Sequence, residues 1–425
     1  MSPGKQYAVV VDAYGPGKFY PALFQQHGVS CIHVQSTSQP LPALTPVDLP
    51  AFLANFVHEG DLQQTAQRIL ALVAQHEGQL LCVIPGVEPG VELADQLSEL
   101  FGVVSNGSAQ SGARRNKYLM AAALQQAGVR IPRFFKSGDV EALVAYAEGA
   151  PEWPLVVKPL DSAGSNGVFI CNNVDEIRHA FAQVIGQTNN MGRVNQEMLI
   201  QSFLDGPEYM VNTVSHAGRH YVSDIWHARK IRLESHGFIY DRNDLLAADD
   251  PAAVALAPYV GSVLDALGIA NGPAHAEVIM TSTGPVLVEV GARISGLVDP
   301  SYNDSLLGHN QIGLTVEAYV APQRFAHSTA APYVLRRHGM QVCLISAVSG
   351  TVKAVSFSEA LGDLESLFSM GLKIRPGSQI KRTIDLSSCP GVCNLGGADP
   401  DRLEHDFQRI RTLFASGVEL ESVAC

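Results

Sequence analysis

Residues 274–296, AHAEVIMTSTGPVLVEVGARISG, constrain the chain more than any other stretch. Two strand-like runs, 274–280 and 286–292, flank TSTGP, which is turn material. With a hairpin centred on Thr283, Glu277 lies directly opposite Glu289. Side chains alternate along a strand, so His275 and Ile279 share the face of Glu277, and Gly291 and Arg293 that of Glu289. Two carboxylates facing across a strand pair are about 5 Å apart at Cβ and repel. At an effective dielectric of ~20 that repulsion is on the order of 3 kcal/mol, which an apolar hairpin does not hold without a compensating cation. Oxygen ligands of this kind suit Mg2+, which combines carboxylates with phosphate oxygens. The alternative is a solvent-facing pair, each glutamate met by a lysine or arginine. The runs AEVIM and VLVEVG argue against it, being nearly all apolar, as in a sheet covered on both faces.

A second stretch, VVKPLDSAGSNGVFI (156–170), sets Lys158 at the end of an apolar run before a loop of small residues. The loop leads into a strand rather than a helix, so it offers no helix N-terminus to a phosphate as a P-loop does. Backbone N–H groups between Ser162 and Gly167 can instead close over phosphates as a flap between two strands, which also keeps water from a reactive intermediate. SAGSNG alone is equally an ordinary hairpin connection; Lys158 and the glutamate pair together favour the flap. YGPGK (14–18) is not a second phosphate loop. Phe19 stands where a P-loop needs Ser or Thr, and no third glycine completes a dinucleotide fingerprint.

At 425 residues the chain exceeds one ordinary domain, and ~150 residues per domain gives about three. The net charge of −12 argues against a nucleic-acid partner. No run approaches ~20 apolar residues, so no membrane span is expected. Seven scattered cysteines and the lack of a signal-peptide pattern fit a reducing cytoplasm, and Cys389 with Cys393 alone makes a poor metal site. The first 110 or so residues alternate strand and helix patterns, as in a parallel sheet: YAVVVDA (7–13), CIHVQS (31–36) and LLCVIPG (80–86) read as strands, 62–76 and 90–101 as helices. A mixed region follows, with helices expected at 139–148, 175–186 and 251–267. The last hundred residues read as a separate small α+β unit, with a strand pair around GLKIRPGSQI and a final helix 400–415. The fold class is therefore α/β and α+β.

Taken in order, RRNKYLM, VVKP, the small-residue loop, QSFLDGPE and the acidic hairpin with its arginine resemble the ATP-grasp family over residues 1–330. The resemblance implies a Rossmann-like N-terminal domain (1–113), a lid (114–200), a central antiparallel-sheet core (201–330) and a C-terminal subdomain (331–425). It implies ATP as bound nucleotide, with Lys117 and Lys158 on its phosphates under a flap carrying Ser162, Gly164, Ser165 and Gly167. Gln201, Phe203 and Leu204 would form the hinge that reads adenine, and Glu208 would hold the ribose. Glu277 and Glu289 would bind one or two Mg2+ ions, Mn2+ being an acceptable substitute, and Arg293 would stabilise the transferred phosphoryl group. Many members carry Asn two residues after the second acid, where this chain has Gly291. The stretch His227, Arg229, Lys230, Arg232 either reaches the phosphates or a substrate carboxylate, or is a solvated strand end.

The C-terminal unit with SGTVKAV, and EVGARISGLVDP, are similar to bacterial L-amino acid ligases, with a fainter likeness to ligases of tabtoxin-type dipeptide pathways. That implies peptide-bond formation between two small-molecule amino acids through an acyl phosphate, with Arg293, Ser295 and Gly296 near the first substrate's carboxylate. Other ATP-grasp carboxylate–amine or carboxylase-type ligases, and a nucleotide sensor without turnover, are the competing readings. A homodimer is the default expectation for such an enzyme.

Overall fold

Successive side chains of the first strand are buried in opposite directions: Tyr7, Val9 and Val11 join one apolar cluster while Ala8 and Val10 join another on the opposite face. A strand buried on both faces belongs inside a parallel sheet covered by helices. In the computed structural model, which describes residues 4–40, 47–162, 167–189, 191–233, 237–362 and 364–421, it does. Strands β1 (Lys5–Val11), β2 (Val29–Gln35), β3 (Ala54–Val57) and β4 (Gly78–Pro85) form a parallel sheet in the order β3-β2-β1-β4. The short β3 is absent from the sequence reading because its residues alternate too weakly. YGPGK forms a 3-10 turn over Gly15–Phe19, with the Lys18 ammonium over the Phe19 ring.

A second, antiparallel sheet joins β5 (Phe134–Ser137), β6 (Leu155–Pro159), β7 (Phe169–Cys171) and β8 (Met198–Ser202) in the order β5-β8-β6-β7. Helices Val140–Glu148 and Val174–Val184 cover one face through Leu143, Ile177 and Val184, packed on Leu155, Val157 and Ile200. The opposite face, with Val156 and Lys158, turns to a cavity. Because β6 and β7 are antiparallel neighbours, the small-residue loop does connect two strands; its residues 163–166, including Gly164 and Ser165, lie outside the described residues.

The largest sheet departs from expectation. It contains β9 (Glu208–His216), β10 (Arg219–Leu233), β11 (Gly237–Leu245), β12 (Gly272–Thr281), β13 (Gly284–Gly291) and β14 (His338–Cys343). After them come β15 (Gly350–Val355), β16 (Leu367–Leu372), β17 (Gln379–Ile380), β18 (Gly391–Gly397) and β19 (Val418–Leu420). The eight-stranded order is β13-β12-β9-β10-β11-β14-β18-β16. The last hundred residues therefore do not stand apart, because β14 pairs with β11 and carries the sheet onward. They keep a core of their own, in which Phe357, Phe407, Ile410 and Phe414 pack on Val342 and Leu395. The strand pair expected around GLKIRPGSQI is not a pair: β16 joins the large sheet and β17 joins β15 in a small one, β17-β15-β19. Among the described residues no helix is long and apolar enough to cross a membrane.

Candidate active site

The acidic hairpin forms, but not with the centre the sequence suggested. Thr281 pairs with Gly284 around a two-residue turn, and Val278 pairs with Leu287. That register alone would put Glu289 on the face of Leu287, against the core. A bulge at Val288 shifts the ladder by one residue, so Glu277 does pair with Glu289. Both glutamates and Val288 then face the cavity, while Ala274, Ala276, Val278, Leu287 and Val290 pack beneath against Leu256, Val260 and Val263 of helix Pro251–Ala266. The hairpin is thus covered by core on one face only; its other face is a cavity wall.

That cavity measures about 760 Å3 and lies between the two antiparallel sheets. Lys158 reaches it from β6, in register with Leu199 of β8. Burial and the neighbouring Lys117 ammonium lower the Lys158 ammonium to about 8, against the opposing pull of Glu289, Glu277 and Glu208. Lys117 opens helix Lys117–Gln126, which Asn116 caps by accepting from the Tyr118 and Leu119 N–H groups. Its ammonium donates to the Ser162 carbonyl at 2.7 Å and pairs with Glu289 at 2.8 Å. One lysine thereby ties the base of the loop to the hairpin. Gln201, Phe203 and Leu204 line the cavity at and just beyond the end of β8, whereas Gly167 closes the far end of the loop without lining it.

Glu277 has a built surrounding. Asp224 accepts from Asn212 Nδ2 at 2.5 Å, which leaves Asn212 Oδ1 to accept from His275 Nδ1 at 2.7 Å. His275 Nε2 is 3.6 Å from Glu277 Oε1. Burial would raise the Glu277 carboxyl, but His275, Lys230 and Arg293 hold it at about 2. For Glu208, burial wins: its carboxyl is raised although Lys230 Nζ lies 2.6 Å away, and Glu277 adds to the rise. Lys230 therefore faces the cavity and pairs with Glu208. Arg229 pairs with Asp244 at 2.5 Å, and His227 stacks on Tyr209. His227, Arg229 and Lys230 all line the cavity, and the two cations are held there by carboxylate partners.

Arg293, Ser295 and Gly296 line the cavity beyond β13. Gln311, fully buried in helix Gln311–Val320, accepts from the Ser295 N–H at 2.8 Å and donates to the Thr213 and Ala274 carbonyls. Gln341 of β14 donates to the Leu297 carbonyl at 3.0 Å. Sequence reasoning missed both glutamines, since nothing local marks a residue that acts by holding a loop far along the chain. It also missed Glu88, whose carboxylate meets Arg293 Nε at 2.9 Å and Arg115 Nη1 at 2.9 Å. Burial would raise Glu88, and the two guanidiniums more than offset it, so its carboxyl lies below the ordinary range. The available signal was its place in PGVEPG at the end of a parallel strand, where open sheets put ligand-facing loops.

The residues fit a divalent cation. Glu277 and Glu289 supply hard oxygen ligands on facing positions. Among the described residues no group of three or more His, Cys, Asp or Glu could hold a metal ion, so phosphate oxygens and water would complete the shell.

Dapdiamide A synthase of Enterobacter agglomerans is 33% identical over 419 residues, 97% of this chain and 96% of that protein. Residues 151–301 match the ATP-grasp domain. The chain belongs to the ATP-grasp family. The L-arginine-specific L-amino acid ligase of Bacillus subtilis is 23% identical over 248 residues, 57% of this ATP-grasp chain and 59% of that one. The crystal structure of L-amino acid ligase from Bacillus licheniformis superposes with a TM-score of 0.75 over 99% of this chain and 100% of the other, at 19% identity, which speaks to the fold. The ATP-grasp match runs from just before β6 to the start of helix Pro300–Leu307, a segment that holds Lys158, Glu208, Glu277, Glu289 and Arg293.

Proposed function

We propose that this chain is an ATP- and Mg2+-dependent ligase that joins two L-amino acids, activating the first as an acyl phosphate and releasing ADP and phosphate. The full-length likeness to dapdiamide A synthase carries the reading; the bulged hairpin that turns Glu277 and Glu289 into the cavity supports it. Lys117 and Lys158 would take the ATP phosphates beneath the 160–168 loop, and the residues from Gln201 to Leu204 the adenine. Glu208, at the start of β9, would accept from the ribose hydroxyls. Glu277 and Glu289 would hold one or two Mg2+ ions, and Mn2+ is compatible with the same oxygens. Bound there, the metal would neutralise charge on the phosphates. Arg293 would stabilise charge on the phosphoryl group in transfer, with Ser295 and Gly296 beside the acyl centre; positioning and electrostatics supply most of such catalysis. In this reading residues 1–113, 114–200, 201–330 and 331–425 act as N-terminal domain, lid, core and C-terminal subdomain around one site.

The test is a panel of amino-acid pairs with ATP and Mg2+, read by phosphate release and by mass of the product. ADP and phosphate should appear only when two amino acids are present. Release that ignores amino acids, or that responds instead to bicarbonate or a purine-pathway intermediate, would assign the chain to another ATP-grasp reaction. Nucleotide binding without turnover under every condition would make it a sensor.

A further inference from the structure

We infer that Glu88, supplied by the N-terminal sheet, is a positioning residue for Arg293, and that position 291 is glycine so that Glu88 can reach it. The inference rests on the ligase reading above, which gives Arg293 its task. Glu88 begins the short turn Glu88–Gly90 after β4. Its Oε2 accepts from Arg293 Nε, and Arg293 Nη1 donates to the Ile294 carbonyl at 3.0 Å. With Nε and Nη1 both committed, the planar guanidinium has one orientation, and Nη2 is left for a ligand. A Cβ built on Gly291 would overlap Glu88 Oε2 and come within 3.2 Å of Arg293 Cζ. No side chain at 291 can coexist with the Glu88–Arg293 pair as it stands. Where other ATP-grasp chains place an asparagine on the hairpin, this one brings a carboxylate across from another domain.

The pair is also one link of a longer chain. Glu88 Oε1 holds the buried Arg115, whose Nη2 holds Asp161 Oδ1 at 2.8 Å. Asp161 stands at the start of the small-residue loop, and Arg193 ties it at 3.0 Å while reaching Glu92 at 2.8 Å. Charges alternate without a break from Arg293 to the base of the loop. A shift at Glu88 therefore disturbs the arginine at the acyl site, while Asp161 keeps its second tie, to Arg193, so the base of the loop stays held.

The experiment compares Glu88→Gln, Gly291→Ala and the double variant in the full-length enzyme. The readouts are amino-acid-dependent phosphate release, ATP affinity by calorimetry, and melting temperature. Glutamine keeps the shape of Glu88 without its charge. The alanine methyl meets side-chain atoms only, Glu88 Oε2 closely and the Arg293 guanidinium at 3.2 Å, so the pair parts without a backbone clash and the fold persists. Each single variant should lower kcat by ~10- to 100-fold, the scale of a displaced catalytic group, with ATP affinity near wild type and unfolding still cooperative, at a lowered melting temperature in Glu88→Gln because the buried Arg115 loses a charged partner. Since both substitutions remove one contact, the double variant should be scarcely worse than the poorer single variant. Losses that multiply independently would overturn the inference, as would a loss carried by ATP affinity or by the absence of a cooperative unfolding transition. Wild-type rates in both single variants, beside an amino-acid-dependent wild type, would remove the role of Glu88 and leave the ligase reading standing. If the wild type ignores amino acids, the ligase reading fails and the inference falls with it.

Discussion

Lys158 is held in an environment that lowers its ammonium well below the ordinary lysine range. Its ammonium loses a proton near pH 8 in the free protein because of burial and of Lys117. A triphosphate beside it would keep the proton on. Below pH 8 the lysine is already charged, so ATP binding takes up no proton and affinity is flat with pH. Above it, binding takes up one proton, and affinity should fall toward about tenfold per pH unit. ATP titrations between pH 7 and 9.5 should show this slope in the wild type and lose it in Lys158→Met, which also binds more weakly; equal slopes would place the titrating group elsewhere. Glu289→Gln removes one of two facing carboxylates and should reduce turnover by at least ~100-fold, the scale of lost charge stabilisation in a transition state. The Mg2+ concentration for half-maximal rate should rise with it. Normal Mg2+ dependence in that variant would take the metal away from the hairpin.

The elements that carry the site depend on small local departures from regularity. Gly206, between β8 and β9, has φ +144°, and a Cβ there would overlap the Met280 carbonyl. The Met280 N–H in turn donates to the Pro207 carbonyl at 2.9 Å, so a backbone hydrogen bond fastens the β8–β9 connection to the hairpin. Gly206→Ala cannot be relieved by a side-chain rotation. It should lower the melting temperature by several degrees and raise the ATP dissociation constant, both measurable by thermal shift with and without nucleotide. A variant with unchanged ATP affinity would detach the hinge from nucleotide binding. Much of this layer was legible in the sequence. Helices such as Leu62–Gln75 follow from apolar spacing, and the facing glutamates from mirror symmetry about a turn. The bulge at Val288 was not legible, because one extra residue in an apolar run leaves no compositional trace. Two departures from the simple reading, a shorter turn and a bulge, cancel at Glu277 and Glu289.

At the scale of the whole molecule, long-range pairing decides what the sequence could not. The C-terminal hundred residues look separable by composition, yet β14 continues the sheet from β11, and Arg411 from the last long helix pairs with Asp241 on β11, a cavity-lining strand. Tyr240 and Leu245 of β11 also share a core with Cys343 and Cys389. A chain ending at residue 330 would expose the edge of β11 and that core together. It should be insoluble or unfold without a cooperative transition; a soluble, ATP-binding fragment would show the C-terminal region to be an attachment rather than part of the fold. Gln341 and Glu88 went unread for the same reason, since each reaches a loop from a different part of the chain.

β13 is one of the two edge strands of the eight, so among the described residues no strand lies along one side of its backbone. Such a border invites another polypeptide to dock and extend the sheet. Here the protruding Val288 breaks the straight row of amides, Pro285 lacks one, and the Tyr259 hydroxyl occupies the Leu287 N–H at 2.7 Å. The same inserted residue that turns Glu289 into the cavity therefore also guards against self-association. A deletion meant to regularise the strand would leave the chain more prone to aggregate.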